Sequence, residues 1–317
     1  MGFKPKVYDA ERYNVKASIM LEGLSGSGKT GLALAIANGL AGNDWQSIGL
    51  VDTENKSANL YGGMLLNTGE TVGKFKKVDL TEDDGYAPLN YVACINEFIR
   101  LGCKACVLDS TTHAWLRTGG VLDLVNKIEA AGNRGGKFNA WGQEEVVANK
   151  NALFEMIRNS NIHVISTVRV KEKFTLATDE TGRSAVKSLG EQQQTQEGLK
   201  YEPDLVLHMV SPGSSTSHPK VQVIKTRYPM FIKDDIVEMT PELIKQIKDF
   251  LEEGADPTVL LEQQRIEYMN GIKEYVTNNP TQKVIYNEIK KQQGYADVKL
   301  KDIDLNGVKT LYLMLTS

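Results

Sequence analysis

The residues GLSGSGKT at 23–30 fit the pattern G-x-x-x-x-G-K-[ST]. Glycines at this spacing let the backbone curl so that its N–H groups close around phosphate oxygens. The cradle takes in Gly23, Ser25, Gly26, Ser27 and Gly28. Lys29 is placed to reach the β- and γ-phosphates of a nucleotide, and the Thr30 hydroxyl to ligate Mg²⁺. A helix beginning here adds the partial positive charge of its N-terminus. The expected ligand is ATP with Mg²⁺. Such a site needs a second carboxylate at the end of a hydrophobic strand, and CVLDS at 106–110 supplies Asp109. The next residue is Ser110, not glutamate, so the base that activates water comes from elsewhere. Glu54, in VDTENKS at the tip of another strand, is the expected base, because it must lie within hydrogen-bond reach of an attacking water. Glu22 and Glu70 are the alternatives.

The elements that position these residues follow from hydrophobic patterning. ASIMLEG (17–23), SIGLVD (47–52), KKVDL (76–80), KACVLDS (104–110) and IHVISTV (162–168) read as strands. Helical spacing covers 29–40, 87–101 and 142–160. This alternation predicts a mostly parallel sheet flanked by helices. DLVLHMV (204–210) and KVQVIKT (220–226) follow closely and predict an antiparallel pair at the sheet edge. Thr240 and Pro241 open a helix with Leu243, Ile244, Ile247, Phe250 and Leu251 on its apolar face. Gly254 ends it, and helical patterns at 256–276, 281–291 and 306–315 close the chain. The expected organisation is a core over 1–255 and a small helical domain over 256–317.

The 317 residues carry 37 Lys and Arg against 40 Asp and Glu, a net charge of −3. No bulk basic footprint exists, so any nucleic-acid contact must come from local patches. No run of about 18 apolar residues is present to span a membrane. MGFKPKVYDAERYN at the start lacks the apolar stretch of a signal peptide, and a cytoplasmic location is expected. Cys103 and Cys106 form a CxxC without a second ligand pair, so these and Cys94 are expected to be ordinary thiols.

VDTE, CVLD followed by serine, and GLSGSGKT together resemble the RecA-like branch of P-loop ATPases. KFNAWGQEEVVANKNALFEMIRNSNIHVISTVRVKEKF (137–174) and QEGLKYEPDLVL (196–207) are similar to a group of bacteriophage AAA-type ATPases. That group is similar to the Sak-type recombination ATPases found with single-strand annealing proteins. The resemblance covers about residues 15–235. It implies a RecA-like core, and an ATP-hydrolysing role in phage DNA recombination or replication. It also implies action on single-stranded DNA as a ring or filament in the host cytoplasm, beside a phage annealing or single-strand-binding protein. A replication motor or helicase loader, and a nucleotide-gated binding module with little turnover, are the alternatives. Residue by residue, it makes Lys29, Thr30 and Asp109 the nucleotide and metal ligands and Glu54 the base. Thr167 and Arg169, in ISTVR, stand where RecA-like proteins keep a polar γ-phosphate sensor. Lys225 and Arg227, two apart in IKTRY and so on one strand face, suit a catalytic finger reaching a neighbouring subunit's nucleotide.

Two segments suit single-stranded DNA through phosphate contacts and base stacking. AAGNRGGKFNAW (130–141) holds Arg134, Lys137, Phe138 and Trp141, although Trp141 is expected in the core. Lys171 to Lys200 is a long polar stretch, read as a loop, with Lys171, Lys173, Arg183 and Lys187. The tail lysines are interleaved with acids and are expected on a solvated surface.

Overall fold

The computed structural model describes residues 12–132, 136–158, 160–178, 184–196, 198–255, 257–278 and 280–316. The first strand, β1 (Ser18–Gly23), is buried along its whole length. Ile19 and Leu21 face one core, and Met20 faces the other. A strand covered on both faces must be apolar throughout. α1 (Lys29–Leu40) follows the glycine loop, then β2 (Ile48–Asp52), β3 (Lys76–Asp79), α2 (Pro88–Arg100) and β4 (Ala105–Asp109). Three short helices come next: α3 (Thr111–Leu116), α4 (Val121–Ala130) and α5 (Gly136–Trp141). α6 (Glu144–Arg158) leads to β5 (His163–Thr178), β6 (Ser184–Gln193), β7 (Leu205–Ser211), β8 (Lys220–Thr226) and β9 (Ile236–Glu238). α7 (Pro241–Glu252), α8 (Pro257–Asn278), α9 (Pro280–Gln292) and α10 (Leu305–Thr316) complete the described chain.

The main sheet runs β3-β2-β4-β5-β1-β7-β8-β9, with β6 paired to β5 alone. From β3 to β7 every pairing is parallel, and the β7-β8-β9 edge is antiparallel. This is the mostly parallel, helix-flanked sheet expected for a RecA-like P-loop core. α1 and α7 pack on one face through Leu34, Ile36, Ile244 and Ile247. α2 and α6 cover the other through Tyr91, Phe98, Leu153 and Met156. One consequence of the strand order governs the site. β1, which carries the glycine loop, is separated from β4, which carries Asp109, by β5. The C-terminal ends of β1, β5, β4 and β2 therefore stand in a row, where ligands bind in open α/β sheets.

The structure departs from expectation between 170 and 193. β5 does not stop at Val168 but runs to Thr178 and pairs antiparallel with β6, from Val170↔Gln193 to Thr178↔Ser184. The polar stretch is thus a hairpin where a loop was expected. Two paired strands satisfy their own backbone groups and need no buried face to do so. α3, α4 and α5 were also not expected. α3 and α5 have six residues each, too few for a clear period. α4 does carry Val121, Leu124, Val125 and Ile128 at helical spacing, packed with Trp115 of α3, Ala140 of α5 and Val146 of α6.

Lys16–Leu251 forms one compact unit. Residues 12–15 and 252–316 belong to a second. In the second, Tyr13 bridges Ala255 in parallel, and Gly254 lies so close to the Tyr13 backbone that an added Cβ would come 2.2 Å from it. Ile272, Ile289, Val308, Leu311 and Leu315 make its core. No helix among the described residues is long and apolar enough to cross a membrane.

Candidate functional site

The loop from Gly23 to Gly28 turns the chain from β1 into α1. Gly28 caps the helix at φ 90°, a left-handed conformation, and an added Cβ there would lie 2.8 Å from Pro212. Only glycine satisfies both conditions. The first turn of α1 carries no acidic residue, so its N-terminal N–H groups face no competing anion there. The Lys29 ammonium is buried and donates to the carbonyls of Gly23 at 2.9 Å and Leu24 at 2.7 Å. Burial pulls its pKa down, and the Asp109 charge opposes that shift.

Asp109 is 4% exposed. Its Oδ2 accepts from the Thr30 hydroxyl at 2.6 Å, and its Oδ1 from the Thr167 hydroxyl at 2.5 Å. β5 makes the second contact possible, since it lies between β1 and β4. Burial raises the Asp109 pKa, and the two hydroxyls draw it back. A buried carboxylate backed mainly by neutral hydroxyls is a set of hard oxygen donors, which is what Mg²⁺ takes. Thr30 and Asp109 are the residues that would hold it.

Glu54 stands at the tip of β2. The Asp52 carboxylate accepts the N–H of Glu54 at 2.7 Å and that of Ala58 at 2.8 Å, which fixes the turn after the strand. Thr53 laces this tip to β4. Its N–H donates to the Asp109 carbonyl at 2.8 Å, and its hydroxyl accepts from the Ser110 N–H at 2.9 Å. The Ser110 hydroxyl donates to Glu54 Oε1 at 3.1 Å. Arg169, at the point where β5 leaves the sheet, donates from Nε to Glu54 Oε1 at 2.9 Å, and its Nη2 meets Oε2. His113 Nε2 lies 3.8 Å from Glu54 Oε1.

These groups share a cavity of about 300 Å³, lined among others by Gly26, Lys29, Thr30, Glu54, Asp109 and Arg169. Ser25 and Tyr61 also reach it, and burial raises the pKa of the Tyr61 phenol beside Thr30. A larger cavity of about 710 Å³ lies at the other end of α1, against α7. It holds no part of the glycine loop, so the chemistry belongs to the smaller one. Of the three candidate glutamates, Glu54 alone lines the smaller cavity. Glu22 pairs with Gln193 and His208, and Glu70 lines the larger cavity.

Lys225 and Arg227 lie at the β8 edge. Lys225 Nζ donates to the Tyr201 carbonyl at 2.5 Å and also to Pro203, and Arg227 pairs with Asp204 at 2.8 Å. β8 ends at Thr226, so Arg227 stands one residue past the strand, and neither cation lines the cavity of its own chain. Lys171 is exposed on β5. Arg134 and Arg183 lie outside the described residues, as do the side chains of Lys137, Lys173 and Lys187. Phe138 is 92% exposed, whereas Trp141 stacks on Trp115 with ring centroids 6.0 Å apart. The three cysteines are free and buried. Sequence reasoning missed Thr53 and His113. The available signal was a histidine four residues past Asp109, at the start of a helix.

A glycine loop between a buried strand and a helix, facing a buried carboxylate two strands away, defines a P-loop nucleoside triphosphatase. The chain belongs to the AAA domain family, whose sequence model matches residues 15–229, from just before β1 to just past β8. A comparison with curated proteins returns no match.

The buried Asp109 charge gives a testable sign. With the folded pKa raised, this group's contribution to stability is fullest below the ordinary carboxylate range and is lost as pH rises through the raised value. At neutral pH, Asp109→Asn is expected to raise the melting temperature of the nucleotide-free chain, by about 2–4 °C per kcal/mol recovered. It should also remove the stabilisation that Mg²⁺ and nucleotide give the wild type. A lower melting temperature with that stabilisation retained would contradict the assignment.

Proposed function

We propose that the chain hydrolyses ATP, with Glu54 as general base, and that it acts on single-stranded DNA as an oligomer in recombination or replication. The observation that carries the hydrolysis is the Glu54 carboxylate in one cavity with Lys29, Thr30 and Asp109. Lys29 contacts the β- and γ-phosphates, and the loop N–H groups hold their oxygens. Mg²⁺ at Thr30 and Asp109 would neutralise charge on the transferred phosphoryl group. Water attacks the γ-phosphorus, its proton passes to Glu54, and the bridging oxygen leaves with ADP. Thr167 holds Asp109, and Arg169 supplies a cation at the γ-phosphate side of the cavity. Glu54→Gln is expected to keep ATP binding and slow hydrolysis by about 10²-fold or more, as for loss of a positioned base. Unchanged hydrolysis would return Glu54 to a structural role.

The ion pair between Arg169 and Glu54 favours a second reading, a nucleotide-gated binding module with little turnover, because a paired carboxylate is a weaker base. A wild-type rate already as low as that of Glu54→Gln would select it.

The DNA reading rests on Phe138, exposed beside Lys137, and on Lys171 in the β5–β6 hairpin. A phage origin and a role beside a single-strand annealing protein follow from the resemblance. Removing the charges of Arg134, Lys137, Lys171 and Lys173 together should weaken single-strand binding and flatten its salt dependence. Wild-type affinity in that variant would remove both segments from the interface.

Lys225 and Arg227, which do not line their own cavity, suit a finger acting on a neighbouring subunit. An added cation at the γ-phosphate contributes about 10³–10⁵ in rate in related enzymes. Lys29→Ala and Arg227→Ala chains should each be nearly inactive, and their mixture should recover activity where an intact site meets an intact finger. A mixed assembly that stays inactive would make Arg227 a bystander.

A further inference from the structure

The pair of Glu54 and Arg169 has a cavity on each side. Beyond it from the glycine loop lies a second cavity of about 170 Å³, to which Thr53, Asn55, Glu82, Tyr86, His113 and Arg117 contribute. Glu54 and Arg169 line both cavities and form their common wall. The second volume is several times the roughly 30 Å³ share of one water.

Two groups in it want a ligand. His113 is 5% exposed, and its Nε2 is buried with no hydrogen-bond partner among the described residues. Leaving such an atom unpaired is costly. Its tautomer follows from its neighbours. The Thr53 hydroxyl donates to the Asp109 carbonyl at 3.1 Å, so towards His113 Nδ1, at 2.8 Å, it accepts. That network assigns the proton to Nδ1 and leaves Nε2 with a lone pair. Burial lowers the His113 pKa and keeps the ring neutral, and Tyr86 packs against it with centroids 5.4 Å apart. The second group is Arg117, exposed at the cavity and in no ion pair with a described residue. Glu82, the other carboxylate on the wall, accepts from the Thr118 hydroxyl at 2.9 Å.

We propose that this second cavity receives the inorganic phosphate produced by hydrolysis, bound by Arg117 and His113, with the pair of Glu54 and Arg169 as the gate. The proposal rests on Glu54 being the base. An anionic Glu54 holds Arg169, so the wall stays closed before cleavage. At cleavage the water oxygen bonds to the γ-phosphorus, the water proton moves to Glu54, and the β–γ bridging oxygen keeps the bonding pair as ADP forms. Glu54 is then neutral, the ion pair is lost, and Arg169 is free to pair with phosphate. The ion passes from Arg169 to Arg117, which opens to solvent. The His113 lone pair accepts a hydrogen bond from the P–OH of phosphate. Sulfate, which carries no proton at neutral pH, offers none.

The test titrates inorganic phosphate, and sulfate in parallel, into the full chain loaded with Mg²⁺, ADP and beryllium fluoride, so that the γ-phosphate position is filled. Calorimetry reads the binding, and the His113 ring resonance reports where it occurs. The expected result is saturable phosphate binding that shifts His113, at least tenfold weaker for sulfate and at least tenfold weaker in Arg117→Met. Arg117 is exposed, so this variant tests the site without disturbing the core. No phosphate binding, equal affinity for sulfate, or wild-type affinity in Arg117→Met would overturn the proposal. ATP turnover of the same preparation separates the two readings. Turnover without phosphate binding removes the second cavity alone. Phosphate binding without turnover removes the hydrolytic reading and the gate with it.

Discussion

The site depends on one unfavourable act, the burial of the Asp109 carboxylate at the end of β4. A charge removed from water must find partners. The fold supplies hydroxyls from two directions, Thr30 at the start of α1 and Thr167 on β5. The Thr167 contact requires β5 to lie beside β4. The strand order is therefore part of the chemistry, because it sets the neutral Thr167 hydroxyl beside the carboxylate. What remains unneutralised is a pocket of oxygen donors beside a lysine and a glycine loop.

The same row of strand ends builds the rest of the machinery. Thr53 ties the tip of β2 to β4 through its backbone and hydroxyl, so Glu54 and Asp109 are held in fixed relation. Arg169 stands where β5 leaves the sheet and becomes one arm of the hairpin. It couples Glu54 to the segment proposed to meet DNA.

The parts of the site legible in the sequence were the local ones. GLSGSGKT follows a strand and opens a helix within a few residues, and Asp109 ends an apolar run, so spacing alone placed them. Glu54 was legible from its position at a strand tip, with Glu22 and Glu70 left open. The structure separates them by direction, since Glu22 turns towards His208. The pairing of Glu54 with Arg169 was not legible. It joins residues 115 apart and depends on the strand order, which no local pattern encodes. The hairpin of β5 and β6 was hidden by its polarity, because two strands that pair with each other need no apolar stripe. His113 was passed over for a similar reason, as its meaning lies in the unpaired Nε2 and not in its place in the chain.

Thr30 and Asp109 are placed to hold Mg²⁺ together with a nucleotide on the glycine loop. Calorimetric titration of a slowly hydrolysed ATP analogue, with Mg²⁺ and then with the metal chelated, tests it most directly. Binding should be at least tenfold tighter with Mg²⁺, about 1.4 kcal/mol or more. Equal affinity in the two conditions would contradict it.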